Sequence, residues 1–498
     1  MLFDQFMQGL VQVFTFPSFF YMLAAILFGL MIGFIPGLGG GFALAMLIPF
    51  TFTMEPGPAL AFLLGGHAVV ATGGSISAIL FNSPGSGPNA ATVLDGFPMT
   101  QRGEAGRALG AALTSSALGG LFGAIILGLM IPVIRPVVLL FAPPEFFMLA
   151  VLGICFIALM GDGTLNKGLI AGAIGLLMSF VGYENNSGII RYAFGQLYLH
   201  EGISLVPVVI GLFAIAEMIS LAVKGGSIAQ QGINSKARKG VFEGIKDVFR
   251  HWPLFIRSSA IGTLVGIIPG LGGDAAVFLT YGHAVQTSKN KESFGKGNVA
   301  GVIAPEAANN AKEGGSLVPT LGFGVPGSSS MAIILGALLI IGLTPGPEML
   351  TKNVDIVFQL VWTLVVANII GAAITLTSAS TLAKLTFLRG SIIIPIVLGF
   401  SFVGAFATHN SMGDVVLAVT TGLLGYFMKK LEYSRATLIL GLVLGTLAEK
   451  NLTLSLRLFG GDFWMRPISL VLLVLIVILL ASPAFKYWRE RRKGGSSA

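Results

Sequence analysis

Apolar stretches long enough to cross a hydrocarbon core of roughly 30 Å recur along this chain. Residues 203–223, Val354–Leu382 and Pro467–Ala481 are three of them. A membrane β-strand would be a segment of about ten residues alternating in polarity, and these runs are continuous. The chain therefore reads as an all-α polytopic membrane protein. Only 10% of its residues are charged, against roughly 25% in a soluble domain, too few to cover a soluble surface. The net charge of +8 does not point to nucleic acid. Lys and Arg collect in short loops and in the C-terminal "KYWRERRK", as the positive-inside rule produces. A single cysteine, Cys155, excludes a disulfide within the chain and argues against a thiolate metal site. The opening "MLFDQFMQGLVQVF" has no basic stretch before its apolar residues and reads as an interfacial helix leading into the first span, not a signal peptide.

Several apolar stretches are interrupted by residues a helix tolerates least. "IPGLGG" occurs at 35–40 and again at 268–273. Flanking matches extend it: "GFIPGLGG" against "GIIPGLGG", then "GGSISAILFNSPGS" (73–86) against "GGSLVPTLGFGVPGS" (314–328) with one residue inserted. The offsets are 233 for the first block and 241 and 242 at the two ends of the second, a nearly constant register that marks a duplication. "GHAV" at Gly66 and Gly282 breaks that register and carries little weight. The 68 glycines, about 14% of the chain against a usual roughly 7%, are partly explained by close helix approach in lipid.

Loop charge orients the copies. Asp4 precedes the first copy, Glu55 lies in its break, and Arg102 and Arg107 follow it. The second is preceded by "KARKGVFEGIKDVFRHWPLFIR" and carries Lys289, Lys291 and Lys296 in its break. The first copy then enters from outside and the second from the cytoplasm. The expectation is about twelve spans in two inverted-topology repeats with broken or hairpin helices, the pattern of secondary transporters. The boundaries are a first membrane repeat over 1–223, a basic cytoplasmic linker over 224–256, a second membrane repeat over 257–485 and a basic cytoplasmic tail over 486–498. The N-terminus is then periplasmic and the C-terminus cytoplasmic.

Breaks at membrane depth are tolerated only inside protein or along a water-filled cavity. The half-helix N-termini they create present free N–H groups to anions, and unwound carbonyls suit cations. "NSPGSGPN" (82–89) and "GVPGSSS" (324–330) add hydroxyls and amides, with Ser86 and Ser328 at matching positions. Either these are kinks with Ser capping a helix, or they form a binding site; the two matched copies favour the site. In "NVAGVIAPEAANNAKEGGS" (298–316), Glu306, Asn309, Asn310 and Glu313 fall on one helical face. Lys312 and Glu313 read as solvated; Glu306, just after Pro305, reads equally as solvated or as lining a pathway. Asp274, directly after the second "IPGLGG", is an intramembrane carboxylate and a cation-coupling candidate; the first copy has Gly41 there. His67 and His283 read as histidines hydrogen-bonded within a bundle more readily than as proton relays. No Walker A motif, HExxH or GxSxG elbow occurs, so energy must come from an ion gradient or from partners.

The segments "GIIPGLGGDAA", "GVIAPEAANNAKEGGSLVPTLGFGVPGSSSMAIILGAL", "TPGPEM" and "NSPGSGPNAATVLDGFPM" resemble the large membrane subunit of the tripartite tricarboxylate transporters (TctA-type), over essentially the whole chain. The resemblance implies a subunit of a bacterial inner-membrane carrier. It would work with a small membrane subunit and a periplasmic solute-binding protein, importing citrate or other organic carboxylates on a Na⁺ or H⁺ gradient. The family residues fall on 37–40, 270–273, 82–86, 306–310 and 327–329. The expected substrate site is Gly37, Gly39, Asn82, Gly85, Ser86, Asn89, Asn310, Gly327, Ser328 and Ser329. Asp274, Glu306 and Asn309 are the cation-coupling set, with Na⁺ expected near Gly270, Gly273 and Asp274. No other cofactor, no nucleic acid and no enzymatic activity is expected. The alternatives are an uncoupled small-anion channel or facilitator, and an intramembrane lipid enzyme, against which no nucleophile and base pair with an oxyanion donor.

Overall fold

The computed structural model describes residues 2–160, 165–184, 188–224, 240–269, 272–382 and 390–494, almost all of them helical. The chain opens with α1 (Leu2–Phe14) and α2 (Ser18–Phe34), bent by 67° at the Phe16–Pro17 peptide, which is cis. After the first Gly-rich block come α3 (Gly40–Leu47), a 3₁₀ turn, and α4 (Pro56–Ala68) running with a slight break into α5 (Val70–Phe81). Then follow α6 (Ala90–Gln101), the long α7 (Ala105–Val138), α8 (Pro143–Met160) and α9 (Leu165–Ser179). A minimal hairpin, β1 (Gly182–Tyr183) with β2 (Ile190–Arg191), is the sole departure from helix-and-turn structure among the described residues. Helix α10 (Leu205–Val209) passes through one π-helical turn, Ile210–Ile215, into α11 (Ala216–Lys224). The second half has α12 (Val241–Arg250), α13 (Trp252–Ile267), α14 (Gly272–Thr287), α15 (Ala300–Phe323) and α16 (Ser329–Ile340). It ends with α17 (Val354–Leu382), α18 (Gly390–His409), α19 (Met412–Lys430), α20 (Arg435–Phe459) and α21 (Pro467–Gly494).

Among the described residues six helical segments are long and apolar enough to cross a membrane, or seven if the bent α1–α2 pair is one span. That is fewer than the sequence predicts, and the breaks are one reason. Segments such as Gly40–Thr53 and Ser329–Ile340 are apolar but short. Helix α15 has the length, but Glu306, Lys312 and Glu313 lower its hydropathy. It is nevertheless the most enclosed element, with every residue from Ala300 to Gly322 buried. Its longest contacts are with α7 and α13. Gly119 and Gly123 of α7 let the α15 backbone approach so closely that an added Cβ would meet the carbonyls of Ala307 and Ala311. These positions account for part of the glycine excess.

The two halves use one construction twice. A Cβ on Gly29 or Gly33 of α2 would strike the carbonyls of Gly66 and Val70; on Gly262 or Gly266 of α13 it would strike those of Ala308 and Lys312. Ile35 leaves α2 at φ −84°, ψ 111°, and Ile268 leaves α13 at φ −80°, ψ 115°. Helix α5 ends at Asn82 in the left-handed region (φ 55°), and α15 ends at Gly324 in the same region (φ 67°). Ser86 (φ −146°, ψ 169°) and Ser328 (φ −153°, ψ 170°) then start the next helical turns in matching extended conformations. These pairs keep the offsets of 233 and 242 read from the sequence.

Candidate functional site

The Gly-rich blocks and the Pro-Gly-Ser breaks of both halves meet at one cavity of about 910 Å³. Four helix starts surround it. Gly39–Gly41 open α3, Ser86–Pro88 lead into α6, Gly273 and Ala275 belong to the first turn of α14, and Ser328–Ser330 open α16. The first N–H groups of a helix have no partner inside it, and the aligned peptide dipoles add a partial positive charge there. In α16 the Ser328 Oγ accepts from the Met331 N–H at 3.3 Å, which leaves the hydroxyl proton free to donate. Ser86 donates instead to Asn89 Oδ1 at 2.7 Å.

Helix α15 supplies the inner wall. At about 100° per residue, Lys312, Asn309 and Glu313 occupy one arc, and all three line the cavity. The sequence reading of Lys312 and Glu313 as solvated is corrected here: their side chains are 6% and 7% exposed. They form an ion pair through Lys312 Nζ and Glu313 Oε1, and the other Glu313 oxygen lies 3.3 Å from His67 Nε2. A polar helical face was legible, but that an entire bundle encloses it was not. The His67 Nδ1 and both amide atoms of Asn309 are buried at this wall with no partner among the described residues. Unpaired buried polar atoms are costly, so a wall that keeps them points to a bound polar ligand or to water. His67 and Asn309 occupy equivalent places in the two halves, again 242 residues apart.

The opposite wall carries charges the sequence reading did not single out. Glu217 receives Lys429 at 2.5 Å and Arg435 at 3.0 Å. Arg435 also donates to the Leu212 carbonyl and lies 4.9 Å over the Phe213 ring, at the π-helical turn. Such turns are frequent at functional sites. Glu217 had a signal, being a carboxylate within the apolar 203–223 run. Lys429 and Arg435 had none, because a basic inter-helix loop is what membrane topology produces anyway. With Glu432, the formal charges on the cavity wall cancel: Lys312, Lys429 and Arg435 against Glu217, Glu313 and Glu432. The preference for an anion therefore rests on the helix N-termini and the free donors.

The sequence-derived residues divide as follows. Gly37, Gly39, Ser86, Gly273, Asn309, Ser328 and Ser329 line the cavity. Asn82 does not; it is the exposed left-handed cap of α5. Gly85 and Gly327 lie behind the lining, where a Cβ would meet the Gly33 and Gly266 carbonyls respectively, so glycine is needed there for packing. Asn310 points away, donating to Thr72 at 3.2 Å and to Asn368 of α17 at 2.5 Å. Asn89 and Glu306 form a buried cluster beside the cavity: Thr92 Oγ1 lies 2.5 Å and Ser75 Oγ 2.8 Å from the Glu306 carboxylate, and Asn89 donates to Ser75 at 3.0 Å. Gly270 and the side chain of Asp274 lie outside the described residues. A Cβ on Gly273 would meet the end of the Lys312 side chain. That places the Lys312 ammonium beside Gly273. Among the described residues no three His, Cys, Asp or Glu side chains are grouped so as to hold a metal.

An apolar helical bundle whose broken helices point their N-termini into one polar cavity defines a class, the helical membrane transport proteins. The chain belongs to the tripartite tricarboxylate transporter TctA family: the sequence profile of that family matches residues 19–440. It is 31% identical over 477 residues to an uncharacterized 52.8 kDa protein in the TAR-I ttuC' 3' region of Agrobacterium vitis, covering 95% of this chain and 94% of that one. It is also 31% identical over 236 residues to an uncharacterized protein in the TAR-II ttuC' 3' region of the same organism, covering 46% of this chain and 98% of that one. No solved structure matches the chain significantly.

Proposed function

We propose that this chain is the permease subunit of a cation-driven importer of organic di- or tricarboxylates, citrate among them, in a bacterial inner membrane. It receives its substrate from a periplasmic solute-binding protein and works beside a small membrane subunit. Family membership supports a tripartite transporter subunit. The observation that carries the carboxylate reading is the cavity wall itself: four helix starts, the matched Ser86 and Ser328, and the unpartnered amide of Asn309. Substrate carboxylates are bound by the N–H groups of Gly39–Gly41, Ser86 and Gly87, by the N–H groups and hydroxyls at 328–330, and by Asn309 and Lys312.

The same reading takes the two halves as inverted repeats with about twelve segments in or across the bilayer, short broken helices included. Loop charge supports a periplasmic N-terminus and a cytoplasmic tail. Broken segments from both halves around one cavity suit an elevator motion, in which they move together with the substrate. The coupling cation belongs with Asp274, Glu306 and Asn309.

The test is tracer uptake into proteoliposomes holding the three subunits, with Na⁺ and proton gradients imposed separately. Ser328→Ala and Asn309→Ala are expected to lower the apparent affinity for citrate by about tenfold, the loss of a hydrogen bond to a charged group, while assembly with the small subunit is unchanged. Normal affinity in both variants would remove the carboxylate from this wall. Uptake that ignores the binding protein and every gradient would instead favour the uncoupled facilitator.

A further inference from the structure

The two buried carboxylates of α15 are treated differently. Glu313 has the Lys312 ammonium and His67 as partners. Glu306 is fully buried and has no cation near it among the described residues; its contacts are the hydroxyls of Ser75 and Thr92, with the Asn89 amide beside them. An ionised carboxylate in that position is costly unless its charge is met, and its hydrogen bonds meet only part of that cost.

The cluster is also connected to the cavity. Ser86 on the cavity wall donates to Asn89 Oδ1 at 2.7 Å, Asn89 Nδ2 donates to Ser75 Oγ at 3.0 Å, and Ser75 Oγ donates to Glu306 at 2.8 Å. Three hydrogen bonds thus separate a hydroxyl on the cavity wall from a buried carboxylate that has no counter-ion among the described residues.

We propose that Glu306 is the proton-binding group that couples substrate entry to a proton gradient, linked to the bound anion through Ser86, Asn89 and Ser75. The inference rests on the importer reading above and names its coupling ion. On protonation one H⁺ from water in the cavity adds to the Glu306 carboxylate, and the new O–H donates to Ser75 Oγ. The Ser75 hydroxyl then turns to the Ala71 carbonyl, which already lies 3.0 Å away. Both states are therefore hydrogen-bonded within the same backbone. Removing the negative charge favours an anion at Ser86, and an anion there favours the proton. Such reciprocity is linkage between two binding sites, and here it has the sign of symport.

Contacts around Glu306 favour a proton over Na⁺. Both hydroxyls hydrogen-bond the carboxylate directly, so among the described residues its polar partners are proton donors. Titratable groups on the elements packed against α15 do not contact it. Asp95 of α6 accepts from Tyr281 of α14 at 2.9 Å and from the Gly297 and Asn298 N–H groups. Arg107 and Arg135 lie near the two ends of α7, Arg257 near the start of α13 and Asp355 at the start of α17. His67 is engaged with Glu313, and His283 of α14 makes no contact with it. The side chain of Asp274, on α14, lies outside the described residues.

The experiment uses the three-subunit proteoliposomes with radiolabelled citrate, malate and succinate, the membrane potential being clamped at zero. Each unit of imposed pH gradient is expected to sustain about a tenfold accumulation per coupled proton in the wild type. In Glu306→Gln that accumulation falls to equilibrium while citrate exchange persists. Thr92→Val, which removes one donor to the ionised form, is expected to move the pH midpoint of uptake upward. As a readout that needs no substrate, pH-difference infrared spectra should contain a protonated-carboxyl band that Glu306→Gln removes. Proton-driven accumulation surviving in Glu306→Gln, accumulation that follows Na⁺ at constant pH, or an unchanged infrared band overturns the proposal but leaves the importer reading standing. Wild-type vesicles that take up none of the three carboxylates under any gradient refute the importer reading and this inference with it.

Discussion

Replacing Lys312 separates its two roles. Its side chain is buried beside Glu313, which also receives His67. Lys312→Met keeps most of the side-chain volume but leaves the Glu313 carboxylate with the imidazole alone. Breaking a buried ion pair by removing one partner costs about 3–5 kcal/mol, because the remaining charge is uncompensated. Lys312→Met is therefore expected to lower the thermal midpoint of the purified subunit in detergent. Adding Glu313→Gln removes the orphaned charge and should recover most of that loss. Transport is expected to behave otherwise. An ammonium has three donors, one of which is committed to Glu313 here, leaving the others to face the cavity. A hydrogen bond to a charged group contributes about 1.5–3 kcal/mol. Both the single and the double variant should therefore lose citrate affinity by about ten- to a hundredfold. Competition binding followed by scintillation proximity, run beside the thermal measurement, distinguishes the two. If Glu313→Gln restores affinity together with stability, Lys312 only neutralises its neighbour and does not contact substrate.

Gly327→Ala is expected to prevent folding rather than weaken binding, since a Cβ there would lie 2.5 Å from the Gly266 carbonyl oxygen and 2.7 Å from Ser316 Cα, both backbone atoms; a monodisperse, assembled variant on gel filtration contradicts this. Asp95→Asn keeps the shape but loses the charge that accepts from Tyr281 and the Gly297 and Asn298 N–H groups. It should cost about 1–3 kcal/mol locally, read as faster proteolysis or amide exchange across residues 288–298.

Much of this site was legible before folding because helix breakers inside apolar runs have few uses. The duplicated glycine and Pro-Gly-Ser blocks marked their own importance, and Ser86, Ser328, Gly37, Gly39 and Asn309 all reached the cavity wall. Where the reading fell short, the cause is three-dimensional. Asn82 and Gly324 share a left-handed cap, so the Asn there serves the turn. Lys312 and Glu313 sit in a stretch as polar as any exposed helix, and nothing in their spacing reports that α7, α13 and α14 close around them. Lys429, Arg435 and Glu217 come from segments remote from both repeats' signature blocks, and only their meeting makes them a wall.

Composition and hydropathy alone dictate a helical membrane protein, because backbone polar groups in lipid must pair within the segment. The repeat spacing likewise dictates two matched sets of helix ends, since Gly and Pro act locally on the backbone. Which side chains face the cavity, and which carboxylate keeps a counter-ion, was decided by packing. Glu306 and Glu313 are two turns apart on one helix, yet Glu313 meets an ammonium and an imidazole and Glu306 only neutral hydroxyls and an amide. That difference belongs to their neighbours in space, which the order of residues along the chain does not list.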